Sequence, residues 1–284
     1  MNDLYSYIMK YKHFIIRSMA ILQMGFLGIF LSTIHAFAYQ DTLEKIKTSG
    51  VLTWGFDAEG GAPYVFHDPA HPSKHRGFEV ELVAAIAREL GVKVQYFQNA
   101  WDSILLSLQR GDFDIALNGI EITPDKGQSV LFTRPYYVYA EQIVVRASDN
   151  RIHCLEDLKG KKVGTLYNTE AKRLLEEMGD VAVSIYSGQV EPFKELLSNR
   201  IDAVFVDSPI AAYYTMPNPQ LHMVGNPVGK GYYGIALRKE DTSLAEEINK
   251  IIGKLLRSGE LKKIYSRWRL WDAEQEQLFL HEGF

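Results

Sequence analysis

The sequence has a single cysteine, Cys154, so no disulfide can form within the chain, and a folded core must hold the molecule without covalent help. A lone thiol reads as a small core residue rather than a nucleophile. Basic charge is also short: 31 Lys and Arg stand against 35 Asp and Glu, a net charge of −4 that offers no footprint for nucleic acid. Catalytic constellations are missing too, since none of the eight histidines falls in an arrangement with a nucleophile and an acid. His67, His71 and His75 recur every fourth residue, a spacing that aligns metal ligands only on a helix. Pro69 and Pro72 forbid a helix there, so a solvated loop is expected and no metal site. Nothing in the sequence implies a cofactor.

Long apolar runs are scarce as well, and the one present is at the start. Lys10, Lys12 and Arg17 precede an apolar stretch over 18–34, and Ala36-Phe37-Ala38 follows it, the order of a secretory signal with its cleavage site. Residues 1–38 are therefore expected to be a signal peptide removed on export. Because the stretch is just at the lower limit of a spanning helix, an uncleaved anchor is the alternative. A lipid anchor would need a cysteine at the cut, and Cys154 is far from it. Removal takes away three basic and one acidic side chain, so the net charge moves from −4 to −6.

What remains alternates short β-branched and aromatic runs with helical patterns, an α/β arrangement. Strands are expected at 51–56, 92–97, 113–118, 162–166, 181–185 and 202–206. A helix over 79–90 puts Val80, Val83, Ala84, Ala87 and Leu90 on one face and stops at Gly91; another over 101–110 stops at Gly111. The stretch 103–117 (helix, tight turn, Asp114, apolar strand) resembles 192–205, where Asp202 takes the same place. Two such copies point to two similar lobes. In α/β sheets ligands bind beyond the carboxyl ends of strands, and four strand ends here carry short polar groups: Asp57, the 119–123 segment, 167–170, and Asp207-Ser208.

Six segments in order, Pro63-Tyr64-Val65-Phe66, Gly77-Phe78-Glu79-Val80-Glu81, Ile122-Thr123-Pro124-Asp125-Lys126, Phe132-Thr133-Arg134-Pro135-Tyr136, 155–164 and 202–207, resemble the polar amino-acid family of bacterial periplasmic binding proteins, family 3. These are receptors of ABC importers. The resemblance covers nearly all of 42–271. It implies a two-lobed periplasmic binding protein fold of type II, each lobe a central sheet flanked by helices, joined by two hinge strands. Residues 39–140 with 235–284 would form lobe 1, and 141–234 lobe 2. It further implies a monomer that binds a small polar solute, an amino acid, and delivers it to a separately encoded membrane permease.

By the same resemblance Asp207 matches the acidic ligand of the solute's ammonium. Asp57 matches an acid facing the ligand, or is a turn residue. Trp101 matches an aromatic against the ligand, or packs on core. Asn168 and Thr169 are hydrogen-bond donors at a helix N-terminus, or an N-cap. Gly119 and its neighbours would supply backbone N–H groups. Departures are equally informative. Lys126 stands where the family has Arg and cannot offer a planar fork to a carboxylate. Glu121 replaces a hydroxyl residue and would repel an anion unless it turns away. Gly61 replaces an aromatic, which opens space.

The rival with catalysis is a cyclohexadienyl dehydratase on the same scaffold, with Glu170 or Glu121 as the acid; no enzyme activity is expected. In the tail, Trp268, Trp271 and Leu278 are expected to pack on the first lobe.

Overall fold

The structure, a computed structural model, describes residues 41–59 and 61–281, so the expected signal peptide lies outside the described residues. Helix α1 (Thr42–Ser49) leads into β1 (Val51–Phe56); a hairpin of β2 (Phe66–Asp68) and β3 (His71–Arg76) follows, then α2 (Phe78–Leu90), β4 (Lys93–Gln98), α3 (Ile104–Arg110) and β5 (Ile115–Ala116). Next come α4 (Pro124–Ser129), β6 (Leu131–Phe132) and the long β7 (Tyr137–Arg146). The second lobe adds β8 (Lys162–Leu166), α5 (Glu170–Met178), β9 (Ala182–Tyr186), α6 (Val190–Leu197), β10 (Ala203–Asp207) and α7 (Ser208–Thr215). The chain returns along β11 (Leu221–Tyr233) to β12 (Ala236–Leu237), α8 (Thr242–Arg257), α9 (Glu260–Arg267) and α10 (Ala273–His281).

Two five-stranded sheets result, in the orders β4-β1-β5-β12-β6 and β11-β7-β10-β8-β9, beside the two-stranded β2–β3 hairpin. Each is built the same way. A strand (β1 or β8) is followed by a helix and a parallel neighbour on one side, then by a helix and a parallel neighbour on the other. The repeated Asp explains the resemblance of the two stretches. Asp114 Oδ2 accepts from Thr53 N (2.9 Å) and Oγ1 (2.6 Å) on β1, and Asp202 Oδ2 accepts from Lys162 N (3.0 Å) on β8. In both lobes the acid closes the turn onto the strand beside it.

β7 and β11, which the sequence pattern did not show as strands, pair antiparallel with register shifts between Val224 and Val228 and between Val228 and Gly231. Such shifts bend strands. Beyond Tyr233 the chain passes straight into β12 of the first sheet, so these two strands are the links between the sheets.

Several expectations need correction. β5 is limited to Ile115–Ala116; at its ends Asp114 N is shared between Thr53 O and Thr53 Oγ1, and the Asn118 amide oxygen accepts from Asp57 N. The buried face of α2 includes Phe78, Leu82, Val83, Ala85, Ile86 and Ala87, while Ala84 is exposed. The helix lies between β4 and the pair α8 and α9, so more than one stripe is covered. Residues 101–103 form a 3-10 turn ahead of α3. His67 and His75 face each other across the β2–β3 hairpin instead of lying in a loop. Cys154 is exposed, not core, because it sits at the mouth of the turn over Leu155–Leu158, where its N–H is drawn to the Asp157 carboxylate. Glu156 beside it pushes the thiol up, away from thiolate chemistry.

The tail packs as expected. Trp268 donates to Glu81 Oε1 (2.9 Å), Trp271 stacks on Phe279, and Leu278 is buried. Gln275 goes further: its amide accepts from Val138 N (3.1 Å) and donates to Val138 O (2.7 Å), capping an open stretch of linking strand β7. Gln275→Ala leaves both Val138 groups without partners, which costs about 1–3 kcal/mol. In a chain of this size that is a melting-temperature loss of several degrees by calorimetry; an unchanged melt contradicts the role.

Candidate functional site

The carboxyl ends of β1, β5, β8 and β10 meet between the lobes, and side chains from both lobes close on one another there. Trp101 Nε1 donates to Tyr167 O (3.0 Å), and Tyr64 OH reaches Asp207 Oδ2 at 3.4 Å. Glu170 N donates to Glu121 Oε1 (2.8 Å). The space enclosed is small, about 30 Å³, lined by Tyr64, Trp101, Glu121, Thr169, Gln189 and Asp207 among others. Small-molecule sites run to several hundred Å³, so this enclosed space is too small for one as it stands. An outer groove of about 790 Å³ opens behind Glu121 and Thr169, with Lys126, Tyr139, Glu141, Asn168 and Glu170 on its walls.

Each expected residue has a definite place. Asp207 ends β10, is 6% exposed, and accepts hydrogen bonds from Tyr233 and Tyr64 hydroxyls. Burial first, then the Glu121 charge, raises its carboxyl to about 7. Glu121 does not turn away: it pairs with Lys126 Nζ at 2.7 Å while its other oxygen caps α5 across the cleft. Main-chain pairing with the end of β11 fixes it there, since Ile122 N donates to Tyr232 O (2.8 Å) and Gly234 N to Ile120 O (3.0 Å). Thr169 is the N-cap of α5, accepting from Lys172 N at 3.3 Å, and it also lines the cavity. Asn168 lies exposed in the preceding turn with φ of 57°.

Two residues are more committed to the fold than their match suggested. Asp57 spends its carboxylate on Glu59 N (2.9 Å), Gln98 Nε2 (3.0 Å) and Trp101 N (3.0 Å), the turn role. Gly119, at φ +65° with the Tyr64 ring 2.9 Å from where a Cβ would sit, gives its N–H to Glu79 Oε1 at 2.7 Å. Nor does Gly61 open the expected space, because Gln189 from the second lobe lies over it, 3.4 Å from a Cβ position.

Residues 52–270 match the bacterial extracellular solute-binding proteins, family 3. The chain belongs to this family. The L-cystine-binding protein TcyJ of Escherichia coli (strain K12) is 30% identical over 239 residues, 83% of this chain and 89% of that protein. Among solved structures, an ancestral amino acid-binding protein, a precursor of cyclohexadienyl dehydratase, is 33% identical with a TM-score of 0.75, covering 80% of this chain and 99% of that one. An ancestral arginine-binding protein bound to arginine is 36% identical with a TM-score of 0.71, covering 77% and 98%. These named relatives are binding proteins.

In this family-3 solute-binding protein the cleft also holds candidate residues that its motifs did not single out. Tyr233 stacks on Tyr139 with centroids 4.4 Å apart and feeds the Asp207 hydrogen bond. Glu141, opposite Asp207 in the β7–β10 register, is 1% exposed. The signal available for it was a Glu-Gln pair inside an otherwise apolar run. Gln189 had no signal. Among the described residues, no helix is long and apolar enough to cross a membrane.

Glu79 holds the cleft floor by accepting from Gly119 N and the Tyr136 hydroxyl, and burial raises its carboxyl from 4.5 to about 8. A raised folded value favours the folded state at low pH, so this stabilisation is lost as pH rises from 4.5 through about 8. The slope is roughly 1.4 kcal/mol per pH unit within that window. Glu79→Gln, isosteric and never charged, removes this slope from denaturant unfolding measured between pH 5 and 8; an unaltered slope contradicts the assignment.

Proposed function

We propose that this chain is the extracytoplasmic receptor of an ABC importer, binding a small polar solute of the amino-acid class between lobes 39–140 with 235–284 and 141–234. Export through the signal at 1–38 places it in the periplasm, and as a monomer it hands the solute to a separately encoded permease. The observation that carries this reading is the closed cleft of about 30 Å³ bridged by hydrogen bonds that Trp101 and Tyr64 donate to the opposite lobe and Glu121 accepts from it. Bonds of that kind make and break as lobes move, and closure excludes water from charged contacts, which strengthens them. Asp207 receives the solute's ammonium, with Trp101 and Tyr64 against its body and Lys126, Asn168, Thr169 and Glu121 around the far end. The relatives named for cystine and arginine support an amino-acid class.

A dehydratase needs a positioned acid free to give its proton, and both candidates are engaged: Glu121 by Lys126, Glu170 by Arg173. The receptor reading therefore stands over the enzyme.

Differential scanning fluorimetry of the protein lacking residues 1–38 against the twenty amino acids tests it. A ligand at a hundredfold excess over its dissociation constant adds about 2.7 kcal/mol of stability. At least one amino acid raises the melt, and Asp207→Asn abolishes the shift while the unligated protein still melts cooperatively. A shift that survives in Asp207→Asn contradicts the ammonium role.

A further inference from the structure

The place in this cleft that suits a carboxylate is already taken by one. Glu121 holds a cation, Lys126 Nζ, at 2.7 Å with one oxygen and the first N–H of α5, from Glu170, at 2.8 Å with the other. A cation and a helix N-terminal amide are the donors by which proteins hold anionic groups. The Gly119 N–H, a third donor expected to face the solute, is bonded to Glu79.

Acceptors, by contrast, are in surplus. Carboxylate oxygens of Glu121, Glu141 and Asp207 lie within 4.8 Å of one another, all three residues buried. Glu121 has its cation. Asp207 has tyrosine hydroxyls. Glu141 has neither: at 1% exposure, both of its oxygens lack a hydrogen-bond partner among the described residues. A buried polar group in that condition costs free energy that a partner would recover. The register sets Glu141 beside Asp207 on adjacent strands, and it faces the outer groove together with Tyr139. Tyr139 and Tyr233 add stacked aromatic faces of the kind that attract cations.

We propose that the receptor recognises its solute through two cationic groups, one at Asp207 and one at Glu141, and needs no carboxylate on it, because Glu121 supplies that carboxylate from the protein. The solute class is the diamines and guanidino-amines, the decarboxylated counterparts of basic amino acids. This rests on the receptor reading above and departs from it in one respect, the solute class, which moves from amino acids to their amines. A hard metal ion at the same three acids is disfavoured by the Lys126 ammonium already bound to Glu121.

Isothermal titration calorimetry compares matched pairs on the wild-type protein: agmatine with arginine, and 1,4-diaminobutane with ornithine, with glutamine and calcium chloride as further arms. Each amine binds at least as tightly as its amino acid. Glu141→Gln weakens agmatine by tenfold or more without lowering the unligated melt, and Glu121→Gln, which releases Lys126, shifts the preference toward arginine by a similar factor. Amino acids that bind tenfold tighter than their amines overturn the proposal and leave the receptor reading standing. Unchanged agmatine affinity in Glu141→Gln also overturns it, as does calcium binding where no amine binds. Silence from every amine and every amino acid overturns both readings.

Discussion

Glu121 is tied to three parts of the molecule at once. Its backbone neighbours pair with the end of β11, its side chain holds Lys126, and the same carboxylate caps the first turn of α5 in the opposite lobe. A charge this buried is tolerable only when fully paired, and while Lys126 lies in the same lobe, the second partner, Glu170 N, comes from the other. The position of Lys126, the orientation of α5 and the closed geometry therefore depend on one another. Parting the lobes exposes Glu121 to water, which solvates it, so the bridge can break without leaving an orphaned charge.

The rest of the cleft has the opposite character. Asp207 and Glu141 are crowded carboxyls: burial first, then the charge of a neighbouring acid, Glu121 for Asp207 and Asp207 for Glu141, lifts both above the ordinary carboxylate range, with Lys126 pulling Asp207 only partly back. A cation arriving beside them would offset that crowding of negative charge. The floor beneath is rigid by comparison: Tyr64, Tyr136, Tyr233 and Tyr265 are buried in one aromatic cluster, with the Glu79 carboxyl, raised by burial, among them and Tyr265 bonded to the Tyr136 carbonyl. A stiff floor under an electrostatically unsettled rim suits a site whose occupant supplies the missing charge.

Much of the fold could be read in the sequence because its signals are local. The αL glycines after α2 and α3, the two Asp residues that close a turn onto a neighbouring strand, and the polar strand ends all depend on residues close in the chain. β7 and β11 were missed for a physical reason. β7 is buried on both faces and shows no alternation, while β11 is interrupted by glycines and register shifts. Asp207 stood out as an acid ending an apolar strand, whereas the tie between Glu121 and Lys126 spans a turn that no periodicity predicts. Asp57 matched a ligand position, but three nearby N–H donors claimed it first. Cys154 shows the limit of residue-type averages, since a turn kept it at the surface.

Lobe closure over a bound solute is the claim on which the account stands, and pulsed electron paramagnetic resonance measures it most directly. The exposed Cys154 provides a natural label in the second lobe, and Lys263→Cys, on the exposed side of α9, provides one in the first. Without solute the distance distribution is broad and reaches beyond that of the closed structure; saturating agmatine or arginine narrows it to the shorter distance. A distribution that stays the same while calorimetry records binding would show that the lobes do not close on the solute, and the account would fail.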